Sequence, residues 1–466
     1  MRTSAERKVR CRASLPLAFA VALAALFCAG SAGAEPRVNT FKLGNGMDVV
    51  VIEDHRVPVV THMVWYRVGA AEDPWGSSGI AHFLEHLMFK STGKLKSGEF
   101  SRTITRLGGR DNAATTHDTT SYFQRVAKEH LRAVMELEAD RMQNLRLVEE
   151  EVATERDVIL AERRSNVDGN PLALLSEQML LTLYQNHPYK RPSIGFEHEM
   201  AKLTRQDAIR FYKRYYAPNN VVLVVAGDVT PEEVRGLAQA TYGRNKPNPA
   251  LVRPIRPDEP KPIAARRVQL MDGRAGARIL LRYYLSPSFA SGPPGDPESL
   301  ELLARIMGGD DTSRLYRRLV VEKLASTAGA NFSATGRDSG RIQFVIIPLE
   351  GVGFDKVESV LDSIIAEVRD KGVTEVELER AKSALEAARV FESDDQMQLA
   401  RRYGEGVAFG QSIADIAGLP NRVQARTADD VKRVAGEYLT SERSVTGTLL
   451  QPQKVEASAQ PAAVKQ

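Results

Sequence analysis

Thr204-Arg-Gln-Asp-Ala-Ile-Arg-Phe-Tyr-Lys-Arg-Tyr215 and Thr427-Ala-Asp-Asp-Val-Lys-Arg-Val-Ala-Gly-Glu-Tyr438 share Thr, Asp, Arg and Tyr at their first, fourth, seventh and twelfth places. Every shared residue of the second stretch lies 223 positions after its counterpart (204 to 427, 215 to 438). A Thr three residues before an acid is a helix N-cap signal, because the hydroxyl and the carboxylate each satisfy one otherwise unpaired backbone N–H. A helix of about three turns follows in each case. An apolar strand comes next, Val221 to Ala226 in the first copy and a weaker Ser444 to Leu450 in the second. The equal offset, and the same place near the end of each half, predict an internal duplication.

The seam between the copies is residues 246–262, which carry Pro247, Pro249, Pro254, Pro257, Pro260 and Pro262. Six prolines in 17 residues exclude a helix and favour an extended, semi-rigid connector. The predicted organisation is therefore an N-terminal domain over 35–245, the linker, a homologous domain over 263–450, and a polar, Ala/Pro-rich tail over 451–466. A chain of 466 residues is too long for one ordinary core, which agrees with two domains. Strand candidates Asp48–Ile52, Val59–Arg67, Arg278–Tyr284 and Arg341–Pro348 alternate with amphipathic helices over Lys128–Asn144, Val148–Ser165, Phe354–Asp370 and Glu375–Phe391. The fold class is α+β, two homologous halves, each a mainly antiparallel sheet packed with α-helices and joined by a Pro-rich linker.

The first 34 residues differ in kind. Arg2, Arg7, Lys8, Arg10 and Arg12 precede an apolar run from Leu15 to Ala29 and then Ser31-Ala-Gly-Ala34. A basic head, a short apolar stretch and an Ala-x-Ala ending predict a cleaved secretory signal and a periplasmic or secreted protein. Without that segment, 58 basic and 58 acidic residues remain, since it holds five of the 63 Lys+Arg and one, Glu6, of the 59 Asp+Glu. A mature chain of zero formal charge gives no support to nucleic-acid binding, and no membrane association is expected after cleavage. Cys11 and Cys28 leave with the signal, so no disulfide is expected.

The chemistry is carried by His82-Phe-Leu-Glu85-His86. Helical positions four apart share a face, so both imidazoles can hold one ion, and Glu85 lies about 60° round the axis, within reach of a water on that ion. Ile80, Leu84, Leu87 and Met88 form the opposite apolar stripe. A tetrahedral zinc needs another protein ligand and an open position. A second helix offers Glu155 and Glu162, seven apart and so on one face. All eight histidines lie at or before His198, which leaves the second half unable to contribute one.

Gly79-Ile-Ala-His-Phe-Leu-Glu-His-Leu-Met-Phe-Lys90, with its inverted zinc motif, resembles the pitrilysin (insulinase-like, M16) family of zinc metallopeptidases. The resemblance spans roughly Asn39 to Leu450. It implies a third zinc ligand 76 residues after the second His, at Glu162, with one Zn2+ per chain, Glu85 as general base, and Glu155 as a supporting carboxylate at the site. It also makes Gly108 to Tyr122 the edge strand that pairs with substrate backbone, Asn112 and Ala113 being its substrate-binding residues. Read by themselves, Gly108-Gly109 and Asn112 are a turn before a strand. His187 to Gly195 is a further family-like stretch, and Tyr184 and His187 are candidates to line a pocket.

In the second half, Met307-Gly-Gly-Asp-Asp-Thr-Ser-Arg-Leu-Tyr-Arg-Arg-Leu319 also resembles the family. Aligned there, Val320 and Thr327 stand where active members carry a substrate-contacting Arg and Tyr. The expectation is therefore a zinc-dependent endopeptidase that supplies the metal in a heterodimer, a homologous subunit bringing the Arg/Tyr pair. A homodimer, a non-catalytic structural or substrate-holding subunit, and a zinc hydrolase acting on something other than peptides are the alternatives.

Overall fold

The computed structural model describes residues 37–452, so the expected signal (1–34) and nearly all of the expected tail (451–466) lie outside the described residues. Eleven strands make two sheets among them. The first contains β1 (Arg37–Lys42), β2 (Asp48–Glu53), β3 (Val59–Tyr66), β4 (Arg110–Thr115), β5 (Thr120–Ala127) and β6 (Val221–Gly227), in the order β1-β2-β6-β3-β5-β4. The second contains β7 (Arg266–Met271), β8 (Ile279–Ser286), β9 (Ala325–Ser333), β10 (Gly340–Pro348) and β11 (Ser444–Leu450), in the order β7-β11-β8-β10-β9. With β1 set aside the two orders are identical. β6 runs parallel to β2 and antiparallel to β3, and β11 repeats this with β7 and β8. The duplication read from two helices thus extends through both halves, and the α+β expectation holds, with a parallel pair, β2–β6 in the first sheet and β7–β11 in the second, set among antiparallel ones.

The sequence accounts for the depth of each strand. All seven residues of β6 are buried, because a central strand covered on both faces needs an unbroken apolar run. β4 has weaker strand character, Arg-Asp-Asn-Ala-Ala-Thr, and alternates between exposed and half-buried at the sheet edge.

Helices α1 (Ile80–Leu87), α2 (Leu131–Asn144), α3 (Glu149–Arg163), α4 (Pro171–Leu183) and α5 (Arg205–Tyr215) lie in the first half. The second half holds α6 (Asp296–Gly308), α7 (Phe354–Lys371), α8 (Glu375–Asp394), α9 (Gln396–Ala408) and α10 (Ala428–Tyr438). α5 and α10 start at the two predicted caps: Thr204 and Thr427 have nearly equal backbone angles (φ −108°, ψ 162° and 166°) and both close capping boxes with Asp207 and Asp430.

Residues of α1, α2, α3 and α5 join one face of the first sheet in a single core, and those of α6, α7, α8 and α10 do the same for the second. The other faces are covered by exchange. Met397, Leu399, Ala400 and Tyr403 of α9 pack on Val50, Met63, Trp65 and Val222 of the first sheet. Leu175, Met179 and Leu183 of α4 pack on Ile279, Leu281, Val445 and Leu449 of the second. Each large apolar side chain so covered contributes about 1.5–3 kcal/mol.

The linker has no regular structure through residues 246–263. It is nonetheless tied to both halves. Arg256 donates to Glu72 and Asp118 of the first half and to Asp338 of the second, and Glu259 accepts the backbone N–H groups of Gln185, Asn186 and His187.

Candidate metal centre

α1 is set in place before its polar face matters. Gly79, at its N-terminus, has φ +86°, and a Cβ there would meet the Ile194 carbonyl oxygen at 2.5 Å, so both the backbone angle and the space call for glycine. Asp73 supplies the cap from outside the helix: its carboxylate accepts from Gly79 N at 2.7 Å and Ala81 N at 3.1 Å. Burial pushes this carboxyl up to about 8, and the two N–H groups and Arg191 oppose the rise. Ile80, Ala81, Phe83, Leu84 and Leu87 are buried in the first core, which turns His82, Glu85 and His86 the other way.

α3 lies beside α1 and is fixed at its end by Arg163, whose buried guanidinium donates to Glu177 and to the Gly195 carbonyl. Glu155 and Glu162, two helical turns apart, then face the histidines. Glu162 Oε2 stands 3.3 Å from His86 Nε2 and 3.7 Å from His82 Nε2. One ligand atom from each of His82, His86 and Glu162 lies within 4.8 Å of the others. Ligand atoms around a four-coordinate zinc are roughly 3.4 Å apart, from bond lengths of about 2.0–2.2 Å. The three groups therefore fit such an ion with side-chain adjustments of an ångström or so.

The charge states fit as well. Burial, helped by the charge of His86, holds the His82 imidazole down at about 3, so it presents a lone pair at neutral pH, and its Nδ1 is buried without a hydrogen-bond partner. Burial also pulls His86 down, but Glu155 at 2.8 Å from Nδ1 and the charges of Glu85 and Glu162 outweigh it and raise it. Glu155 is itself raised by burial and lowered further by His86 and by Lys90, which binds its second oxygen. The resulting His86–Glu155–Lys90 chain fixes the ring and its tautomer from behind. Burial raises Glu85, the opposite hydrogen bond being a 2.5 Å donation from the Thr115 hydroxyl.

β4 thus reaches the site through Thr115. Asn112 is exposed on this strand, and its side-chain oxygen accepts from Ala113 N at 2.9 Å. Tyr184 is placed elsewhere, lining a cavity of about 110 Å3 between the halves, and its hydroxyl donates to the Ser339 carbonyl; His187, whose ring stands 6.0 Å from that of Tyr184, does not line this cavity, and its Nδ1 accepts from Tyr189 N. Val320 lies in a π-helical turn (Tyr316–Val321) and Thr327 in β9, while Arg314 is spent in a two-pronged pair with Glu377. Asp73, Lys90 and Thr115 escaped sequence reasoning. Lys90, four residues after His86, carried a periodicity signal; the other two did not.

An α+β duplication with a two-His, one-Glu cluster on paired helices defines a class of protein, and comparison with known proteins agrees. Residues 48–196 match the insulinase (peptidase family M16) domain, and residues 202–385 match the peptidase M16 inactive domain. The chain belongs to the M16 insulinase-like peptidase family. It is 29% identical to the zinc protease PqqE of Helicobacter pylori over 418 residues, which is 88% of this chain and 92% of that protein. The crystal structure of a protease from Helicobacter pylori superposes with a TM-score of 0.83 at 28% identity, covering 89% of this chain and 99% of the other. The first half of the periplasmic protease PqqL of Escherichia coli has the same fold, with a TM-score of 0.74 at 21% identity over 89% of this chain and 92% of the other. Among the described residues no helix is long and apolar enough to cross a membrane.

Proposed function

We propose that this chain is a zinc-dependent endopeptidase that holds one Zn2+ between His82, His86 and Glu162. The observation that carries the reading is the convergence of these three groups within 4.8 Å beside the carboxylate of Glu85, whose one hydrogen bond among the described residues comes from the Thr115 hydroxyl. A bound zinc supplies a Lewis acid that polarises the scissile carbonyl and acidifies a water. Glu85 takes the proton from the attacking water and returns it to the departing amine nitrogen; its burial raises its proton affinity toward what that shuttle needs. Glu155 holds His86 in orientation, and the free edge of β4, with Asn112 and Ala113, pairs with the peptide backbone, so many sequences can bind.

Val320 and Thr327 lack the strong donors that would stabilise a developing oxyanion, which favours a homologous partner subunit contributing an Arg and a Tyr. The signal-like first 34 residues support export to the periplasm. The test is metal analysis of the exported chain and peptide cleavage with and without what co-purifies. Glu85→Gln should keep zinc and lose hydrolysis by at least about a hundredfold, whereas His82→Ala, His86→Ala or Glu162→Ala should lose the metal too. Zinc bound without cleavage, even beside the partner, would replace this reading with a substrate-holding subunit.

A further inference from the structure

β4 shows two different faces along its six residues. Arg110, Asn112 and Ala114 are exposed, while Asp111, Ala113 and Thr115 turn inward. Each inward side chain ties the strand to what lies behind it: Asp111 accepts from the Ser101 hydroxyl at 2.6 Å, Ala113 packs on the first core, and the Thr115 hydroxyl donates to Glu85 Oε2 at 2.5 Å. Among the described residues this is the one hydrogen bond to the Glu85 carboxylate.

Thr115 itself cannot drift. It is paired with Thr120 across the hairpin, and the turn beyond it closes with Thr116 N donating to the Thr119 carbonyl at 2.8 Å. Ala70 N and Ala71 N donate to the carbonyls of Thr116 and His117 at 3.0 and 2.8 Å. That approach is open only because residue 69 is glycine; a Cβ at this position would meet Thr116 O at 2.4 Å. Asp118 in the same turn is held by Arg256 and by the Tyr189 hydroxyl at 2.5 Å.

We propose that Thr115 is a positioning residue for the hydrolysis, fixing the Glu85 carboxylate in register with the peptide that pairs with β4. This rests on the reading of Glu85 as the base. One strand carries both the free backbone edge and the hydroxyl that holds the base, so a peptide bound on the edge and the carboxylate behind it share one frame. With one oxygen occupied by the hydroxyl, the other is free to take the proton. Proton transfer depends steeply on such placement, whereas backbone pairing to β4 does not involve the hydroxyl. Loss of the hydroxyl therefore lowers kcat and spares KM.

The test compares wild type, Thr115→Val, Thr115→Ser and Glu85→Gln in one assay, as full chains with any co-purifying partner, with a quenched fluorescent peptide as probe. Zinc content and thermal unfolding are measured on each. Valine keeps the β-branched shape that suits the strand and removes only the donor; serine restores it. The expected result for Thr115→Val is a kcat about 10- to 100-fold lower, KM within about twofold, and zinc and unfolding temperature retained. Thr115→Ser is expected within about threefold of wild type. Wild-type kcat in Thr115→Val overturns the proposal and leaves the peptidase reading intact. Equal loss of zinc or folding in both variants also overturns it, in favour of a structural role. An inactive wild type that binds zinc sinks the peptidase reading, and the role of Thr115 with it.

Discussion

At the scale of single residues, the first half is built over a buried charge. Arg141 is fully buried, bound to Glu138 at 2.6 Å and packed against the rings of Phe100 (4.0 Å) and Tyr122 (4.4 Å). Removing one member leaves the other ionised in the core. Arg141→Met should therefore destabilise by about 3–5 kcal/mol, and Arg141→Met with Glu138→Leu should recover much of that, a comparison that denaturant midpoints can make. Local sequence showed such residues poorly. The zinc motif was visible because its members are one helical turn apart and share a face. Thr115 and Asp73 were not, since the partner of the first lies 30 residues back, and the second caps a helix from several residues outside it. Glu162 and Glu155 were visible as a pair on one helix face, and only family resemblance separated their roles; the structure puts Glu162 between the two imidazoles and Glu155 behind one of them.

At the scale of elements, the capping boxes were the most legible feature, because Thr204 and Asp207, or Thr427 and Asp430, satisfy each other within four residues. Equivalent caps should have equivalent worth. Thr204→Ala and Thr427→Ala are each expected to cost about 1 kcal/mol, measured as shifts in unfolding midpoint; a cost in one helix alone would mean that only that helix relies on its cap. The strands β4 and β9 were harder to read. Arg-Asp-Asn-Ala-Ala-Thr and Ala-Ser-Thr-Ala-Gly-Ala-Asn-Phe-Ser lack apolar alternation, because an edge strand buries little and is held by its neighbour's backbone. α9 carried no sign that it would cover the sheet of the other half, since amphipathicity shows that a helix has a buried side but not what lies on it.

For the whole molecule, the junction of the halves contains a titratable group that should govern stability. Glu405 of α9 borders a cavity of about 500 Å3, with Arg401 and Arg402 on the same helix, Arg389 across it, and Asp118 and Arg341 at the adjoining smaller cavity. Burial, reinforced by the charge of Asp118 and opposed by Arg401, raises its carboxyl from 4.5 to about 7. A raised carboxyl stabilises the fold fully below its ordinary value, and that contribution is lost as pH rises through the folded one. Glu405→Gln should match wild type near about pH 4 and melt at a higher temperature than wild type at about pH 8. Parallel melting curves across that window would assign the carboxylate to solvent.

The exchange of α4 and α9 means that neither copy of the duplication is a self-sufficient building block. Made alone, each polypeptide would present a naked sheet and a stray greasy helix, and aggregation is the expected fate of both. Produced together from two separate genes broken within the proline-rich stretch, the pieces should find each other and knit into one particle, as two hands clasp without needing the arm between them.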